Sequence, residues 1–192
     1  MINWHRIRRY LIHRRGAYGR HGVHSPFVYN FVENVIKKKY QADKLVLVTS
    51  RHNRLVNKII NHFFCNNILW LTNRHGEQET FISISEKDSR AELTSQRFDT
   101  EQMQKYPHPD LLLIDLKDPT DWQPAFEKYF PLLKESSMVI LVNPHNTPQH
   151  TAAWEQIHAL GEVKLSLDLF KVGILLFREE FKEKQHFQLQ YS

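Results

Sequence analysis

Aspartate, asparagine and histidine stand in this chain where an open α/β sheet does its chemistry, at the ends of apolar runs. Asp115 follows the run 111–114, and Asn143 and His145 follow the run 138–142. Carboxylate and imidazole are the usual general bases, and ligands enter such sheets at the C-terminal ends of adjacent parallel strands. A second pair, His21 and His24, precedes Ser25-Pro26 and is spaced to meet a ligand, an acidic group or the next layer of the fold. Ser25 reads as a helix N-cap with Pro26 at the first helical position, not as a nucleophile. There is no Gly-x-Ser-x-Gly elbow and no P-loop. The 12 histidines show no paired ligand spacing, so no metal site is expected.

The elements that must position these residues follow from periodicity. Continuous apolar runs at 45–48, 68–71, 81–84, 111–114 and 138–142 suit strands buried on both faces of a parallel sheet. Helical patterns occupy residues 53–64, 122–133 and 147–160, the last closed by Gly161, and a further helix runs from Pro26 to about Lys37. Residues 163–167 and 172–177 read as an antiparallel pair at one sheet edge. The alternation of strand and helix predicts a doubly wound α/β sheet. Residues 2–15 place Trp4, Ile7, Leu11 and Ile12 at helical spacing among arginines, an amphipathic basic helix. A membrane-surface helix looks similar, but this apolar face is short, and docking on the domain is the simpler expectation.

Composition narrows the classes. At 192 residues with 41% hydrophobic content the chain supports one α/β domain plus an extension, divided here as residues 1–40 and 41–192. Cys65 is the single cysteine, so no intrachain disulfide forms; its apolar setting predicts a packed thiol and its solitude a reducing, cytoplasmic setting. No run of about 18 apolar residues is present, so no membrane span is expected. Residues 1–75 hold 14 Lys/Arg against only Glu33 and Asp43, while the remainder holds 12 against 19 acids. The basic third can meet its own acidic half, a second subunit in a homo-oligomer, or nucleic acid. Nucleic-acid binding would be weak and sequence-independent, through Arg6, Arg8, Arg9, Arg14 and Arg15.

The string from His21 through Pro26 to Phe31 resembles the N-terminal signature of a bacterial family of class I S-adenosylmethionine-dependent methyltransferase-like proteins. The second half resembles the same family, in Asp115, in His145, in Ala153-Trp154-Glu155-Gln156-Ile157, and from Asp168-Leu169-Phe170 through Gly173 to Phe177. The resemblance implies a Rossmann-like methyltransferase-type sheet, mostly parallel with an antiparallel terminal strand. It also implies cofactor contacts from Thr72, Asn73 and Glu86, substrate contacts from His21, His24 and Asn143, and Asp115 or His145 as general base. Two family features are missing. The paired acids after the fifth strand fall on Val142 and Asn143, and the turn after residue 71 holds one glycine, Gly76. With the next strand placed at about residue 80, the gap is shorter than the ten or so residues a crossover helix needs. The cofactor loop is therefore expected to be deleted and S-adenosylmethionine to bind weakly or not at all. Three readings follow: a degenerate methyltransferase-like binding or assembly module for a small molecule or protein, a divergent working methyltransferase, and a nonspecific nucleic-acid binder.

Overall fold

The structure, a computed structural model, describes residues 3–17, 24–38, 51–73, 92–96, 98 and 108–191. Its described helices are α1 (Trp4–Gly16), α2 (Pro26–Phe31), α3 (Arg51–Phe63), α4 (Trp122–Tyr129) and α5 (Pro148–Ala159). Its strands are β1 (Asn67–Thr72), β2 (Glu92–Gln96), β3 (Leu111–Asp115), β4 (Met138–Val142), β5 (Leu165–Asp168), β6 (Val172–Leu176) and β7 (Gln185–Gln188). They form one sheet in the order β2-β1-β3-β4-β6-β5-β7. Strands β2, β1, β3 and β4 are mutually parallel, and β6 runs antiparallel to both β4 and β5. This is a Rossmann-like, methyltransferase-type sheet, mostly parallel with one reversed strand near its end.

Both faces of the central sheet are covered, which is why β1, β3 and β4 read as unbroken apolar runs. Along β1, Ile68 and Trp70 enter a core shared with α2 and α3. Leu69 and Leu71 enter a second core shared with α4 and α5. The same alternation divides β3 into Leu111 and Leu113 against Leu112 and Ile114. A side-chain period of two with helices on both sides makes every position a buried one.

The helix starting at Pro26 is capped as expected, with Ser25 Oγ accepting the Val28 N–H. It continues as a π-helical turn over Val32–Ile36. Val28, Phe31, Val32 and Val35 are buried in the core that includes β1, β3 and β4. At the end of α5, Leu160 has left the helical conformation (ψ 144°), so the helix stops at Ala159, two residues before Gly161. Trp154 lies flat against Gly173 of β6: a Cβ there would stand 2.5 Å from the indole ring. Both residues therefore serve packing here, and the close approach requires glycine.

Two expectations change. The strand beside β1 is β2, residues 92–96, paired in parallel register from Asn67 opposite Glu92 to Leu71 opposite Gln96. Parallel neighbours need a crossover, and the segment between Thr72 and Glu92 has the length for a helix. The strand paired with β1 therefore begins at Glu92 rather than at about residue 80; residues 74–91, where the deletion was expected, and the runs 45–48 and 81–84 lie outside the described residues. At the other end, the antiparallel pair β5 and β6 is present, but β7 pairs parallel to β5 and takes the edge.

Candidate functional site

A buried network of polar residues sits at the C-terminal edge of the sheet, where β4 and β5 end beneath α1. Asn143 leaves β4 in the left-handed region (φ 58°), a conformation asparagine tolerates, and turns the chain so that His145 reaches back over the edge. His145 Nε2 donates to Asp168 Oδ2 at 2.7 Å, and its Nδ1 lies 3.3 Å from the Thr151 hydroxyl. Asp168 ends β5 and is almost wholly buried. Its Oδ1 accepts the Phe170 N–H at 2.8 Å, which holds Phe170 at a positive φ of 68°. Phe170 then stacks on His145, with ring centroids 5.3 Å apart.

The cover is α1, and it docks through its polar side. His13 Nε2 stands 3.3 Å from Asp168 Oδ1 and 3.0 Å from the Asp168 carbonyl. His5 Nε2 meets Thr151 Oγ1 at 3.2 Å. Arg6 donates to Asn146 Oδ1 and Asn143 Oδ1, at 3.2 and 3.4 Å, and Arg9 pairs with Glu155 at 3.1 Å. Asn3 caps the helix through the Arg6 N–H and donates to the Asn146 carbonyl. The helix docks on the domain as expected, but by the stripe His5, Arg6, Arg9 and His13 rather than by its apolar residues.

Electrostatics explains the arrangement. Burial alone would push the Asp168 carboxyl up; hydrogen bonds from His13 and His145 reverse this and hold it well below the usual carboxylate range. Burial likewise works against the charged form of His13, but the Asp168 carboxylate outweighs it and raises the imidazole above its ordinary value. A buried carboxylate with two imidazoles and a backbone N–H is a satisfied charge. Both ring nitrogens of His145 are thus engaged within the protein, one by Asp168 and the other by Thr151.

The other candidates are dispersed. Asp115 ends β3 in register with Thr72 of β1, and both side chains are buried. Asn73 follows at the surface. Asn143 lies under Arg6, as above. His24 is elsewhere: it lines a groove of about 840 Å³ with Phe27, Arg178, Phe181 and Gln185. Because β6 is reversed, Arg178 lies beyond its C-terminal end at the opposite edge from His145. His24 and Asn143 therefore do not share one pocket. His21 and Glu86 lie outside the described residues. Among the described residues no group of three or more His, Cys, Asp or Glu is placed to hold a metal ion. Cys65 is buried, and burial followed by the nearby Asp110 pushes its thiol up to about 12, in keeping with a packed residue.

Sequence reasoning missed Asp168 as a polar centre, and with it His5, His13 and Thr151. The available signal was the polar stripe at positions 5, 6, 9 and 13 of α1, too regular for a solvated face.

No family model matches the chain, and no curated protein matches it. Among solved structures, an SAH-bound methyltransferase of Podospora anserina aligns with TM-score 0.46 and 11% identity, over 93% of this chain and 97% of that one. So slight a likeness carries no argument, and the fold assignment rests on strand order and direction.

Proposed function

We propose that this chain is a methyltransferase-fold binding or assembly module rather than a working methyltransferase, with little affinity for S-adenosylmethionine. The observation that carries this reading is the engagement of His145. Its two ring nitrogens go to Asp168 and Thr151, and α1 closes the edge above them. Among the described residues, few on the cofactor side are placed to hold it. Thr72 and Asp115 are buried at their strand ends, and the sequence between β1 and β2 holds one glycine, Gly76, where close backbone approach needs several. Each missing contact to the cofactor's charged groups removes about 1.5–3 kcal/mol, roughly tenfold or more in affinity.

The divergent-enzyme reading has one observation in its favour. Parallel pairing of β1 and β2 leaves the intervening segment long enough for the crossover that a cofactor helix would occupy. Isothermal titration of the full chain with S-adenosylmethionine and with its demethylated product separates the two readings. Absence of saturable binding up to the high micromolar range is expected. A dissociation constant in the low micromolar range would establish the divergent enzyme instead, with Asp115 as the remaining candidate base.

A further inference from the structure

With its polar side on the domain, α1 presents its apolar side to solvent. Trp4, Ile7 and Leu11 follow one another at helical spacing on this outer face and are 72%, 44% and 50% exposed. Arg8, Arg14 and Arg15 flank them, all exposed, with no ion pair among the described residues. Neither the helix nor its first turn contains an acidic residue.

We propose that this outer face binds the surface of an anionic lipid bilayer, with α1 lying in the interfacial plane. The chemistry fits in both halves. An apolar stripe headed by tryptophan enters the acyl boundary, and the flanking arginines meet lipid phosphates and carboxylates. At 13 residues α1 is too short to span a bilayer, and among the described residues no helix is long and apolar enough to cross one. A second copy of the chain is a poorer occupant. A two-fold contact through this face would set arginines against arginines, with no acid on the helix to neutralise them. Nucleic acid is also poorer, since phosphates would reward the arginines but leave Ile7 and Leu11 against a charged backbone. Insertion leaves the docked polar side in place, so the bilayer would press α1 onto the strand edge it already covers.

The test is co-sedimentation of the full chain with vesicles of phosphatidylserine and phosphatidylcholine (roughly 3:7) and of phosphatidylcholine alone. Binding to the anionic vesicles, weakening with salt, is expected. Arg8→Gln, Arg14→Gln and Arg15→Gln together should lower the partition coefficient about a hundredfold, near fivefold for each charge. Leu11→Gln should lower it about tenfold or more. These side chains are exposed, so circular dichroism and thermal midpoint should not change. Among the four tryptophans, Trp70, Trp122 and Trp154 are fully buried. Quenching by brominated acyl chains therefore reports on Trp4, and Trp4→Phe should abolish it. No sedimentation with anionic vesicles, equal binding to neutral ones, or binding without Trp4 quenching would each overturn the proposal. So would self-association that Leu11→Gln abolishes, which would assign the face to a second copy. Retardation of an oligonucleotide by the same arginines without vesicle binding would assign it to nucleic acid.

Discussion

Replacing Asp168 by asparagine tests whether the edge network holds α1 in place. The carboxylate accepts from His13, His145 and the Phe170 N–H, at 3.3, 2.7 and 2.8 Å, and is almost wholly buried. The substituted side chain would keep one acceptor oxygen, which suffices for Phe170. Its amide NH2 would then face the His145 Nε2–H, donor against donor, and the charge opposite His13 would be gone. Removing one partner of a buried pair costs about 3–5 kcal/mol, and the retained acceptor places this change near 3. For a chain of this size that lowers the thermal midpoint by about 6–12 °C. Urea unfolding followed by circular dichroism measures it, and tryptic cleavage after the arginines of α1 separates undocking from global unfolding. The pH dependence adds a second readout. The His13 imidazole is raised in the fold, so its contribution is complete below its unfolded value of 6.5 and is lost as pH rises through the folded one. Asp168 is lowered, so its contribution is complete above 3.8 and is lost only as pH falls through its folded value. The difference between the native chain and Asp168→Asn should therefore be greatest between about pH 4 and 6.5 and shrink above that range. A loss under about 1 kcal/mol, or a difference that does not vary with pH, would refute the reasoning.

Two further outcomes follow from packing and titration. Gly173→Ala forces a methyl group into the Trp154 ring at 2.5–2.9 Å, inside a strand paired on both sides. It should destabilise by about 1–3 kcal/mol, and by clearly less in a Trp154→Phe background, where the six-membered ring it meets is gone; equal losses in both backgrounds would place the clash elsewhere. His186 is lowered to about 4, first by burial and then by His158, on which it stacks at 4.5 Å. A lowered histidine stabilises above its unfolded value and loses that contribution as pH falls through its folded one, here from 6.5 toward 4. Since part of the ring meets solvent, screening reduces the effect. His186→Gln should flatten the acid limb of the thermal-midpoint profile, and an unchanged slope would assign that limb to other groups.

The strands that were legible in the sequence are those buried on both faces. Residues 68–71, 111–114 and 138–142 announce themselves because each position, whichever way it points, meets a helix layer. The two sheet edges gave no such signal. Strand β2 reads Glu-Leu-Thr-Ser-Gln and β7 reads Gln-His-Phe-Gln, polar sequences suited to positions that, among the described residues, have a neighbour on one side only. With β2 unseen, the gap after β1 was measured to about residue 80 and not to the strand that pairs with β1. His145 was legible from its place after β4, but its role was not. The partner that decides it, Asp168, lies 23 residues further on, and His13 lies 155 residues from that aspartate. No local pattern couples positions so far apart.

The inverted docking of α1 shows what amphipathicity alone can establish. Helical spacing separates one face from the other but does not say which one turns inward, because that depends on what the receiving surface offers. A surface of apolar side chains would have taken Trp4, Ile7 and Leu11. The surface here is the end of a sheet, with the Asp168 carboxylate and carbonyl and the Asn143 and Asn146 oxygens all needing donors. Left unpaired under a cover, each such acceptor would cost more than an apolar contact returns. The side of α1 carrying His5, Arg6 and His13 supplies those donors, so the satisfaction of a polar edge, not hydrophobic burial, sets the orientation. The exposed apolar face is its consequence. An acceptor-rich edge that captures the polar side of a helix must leave the other side for a different surface.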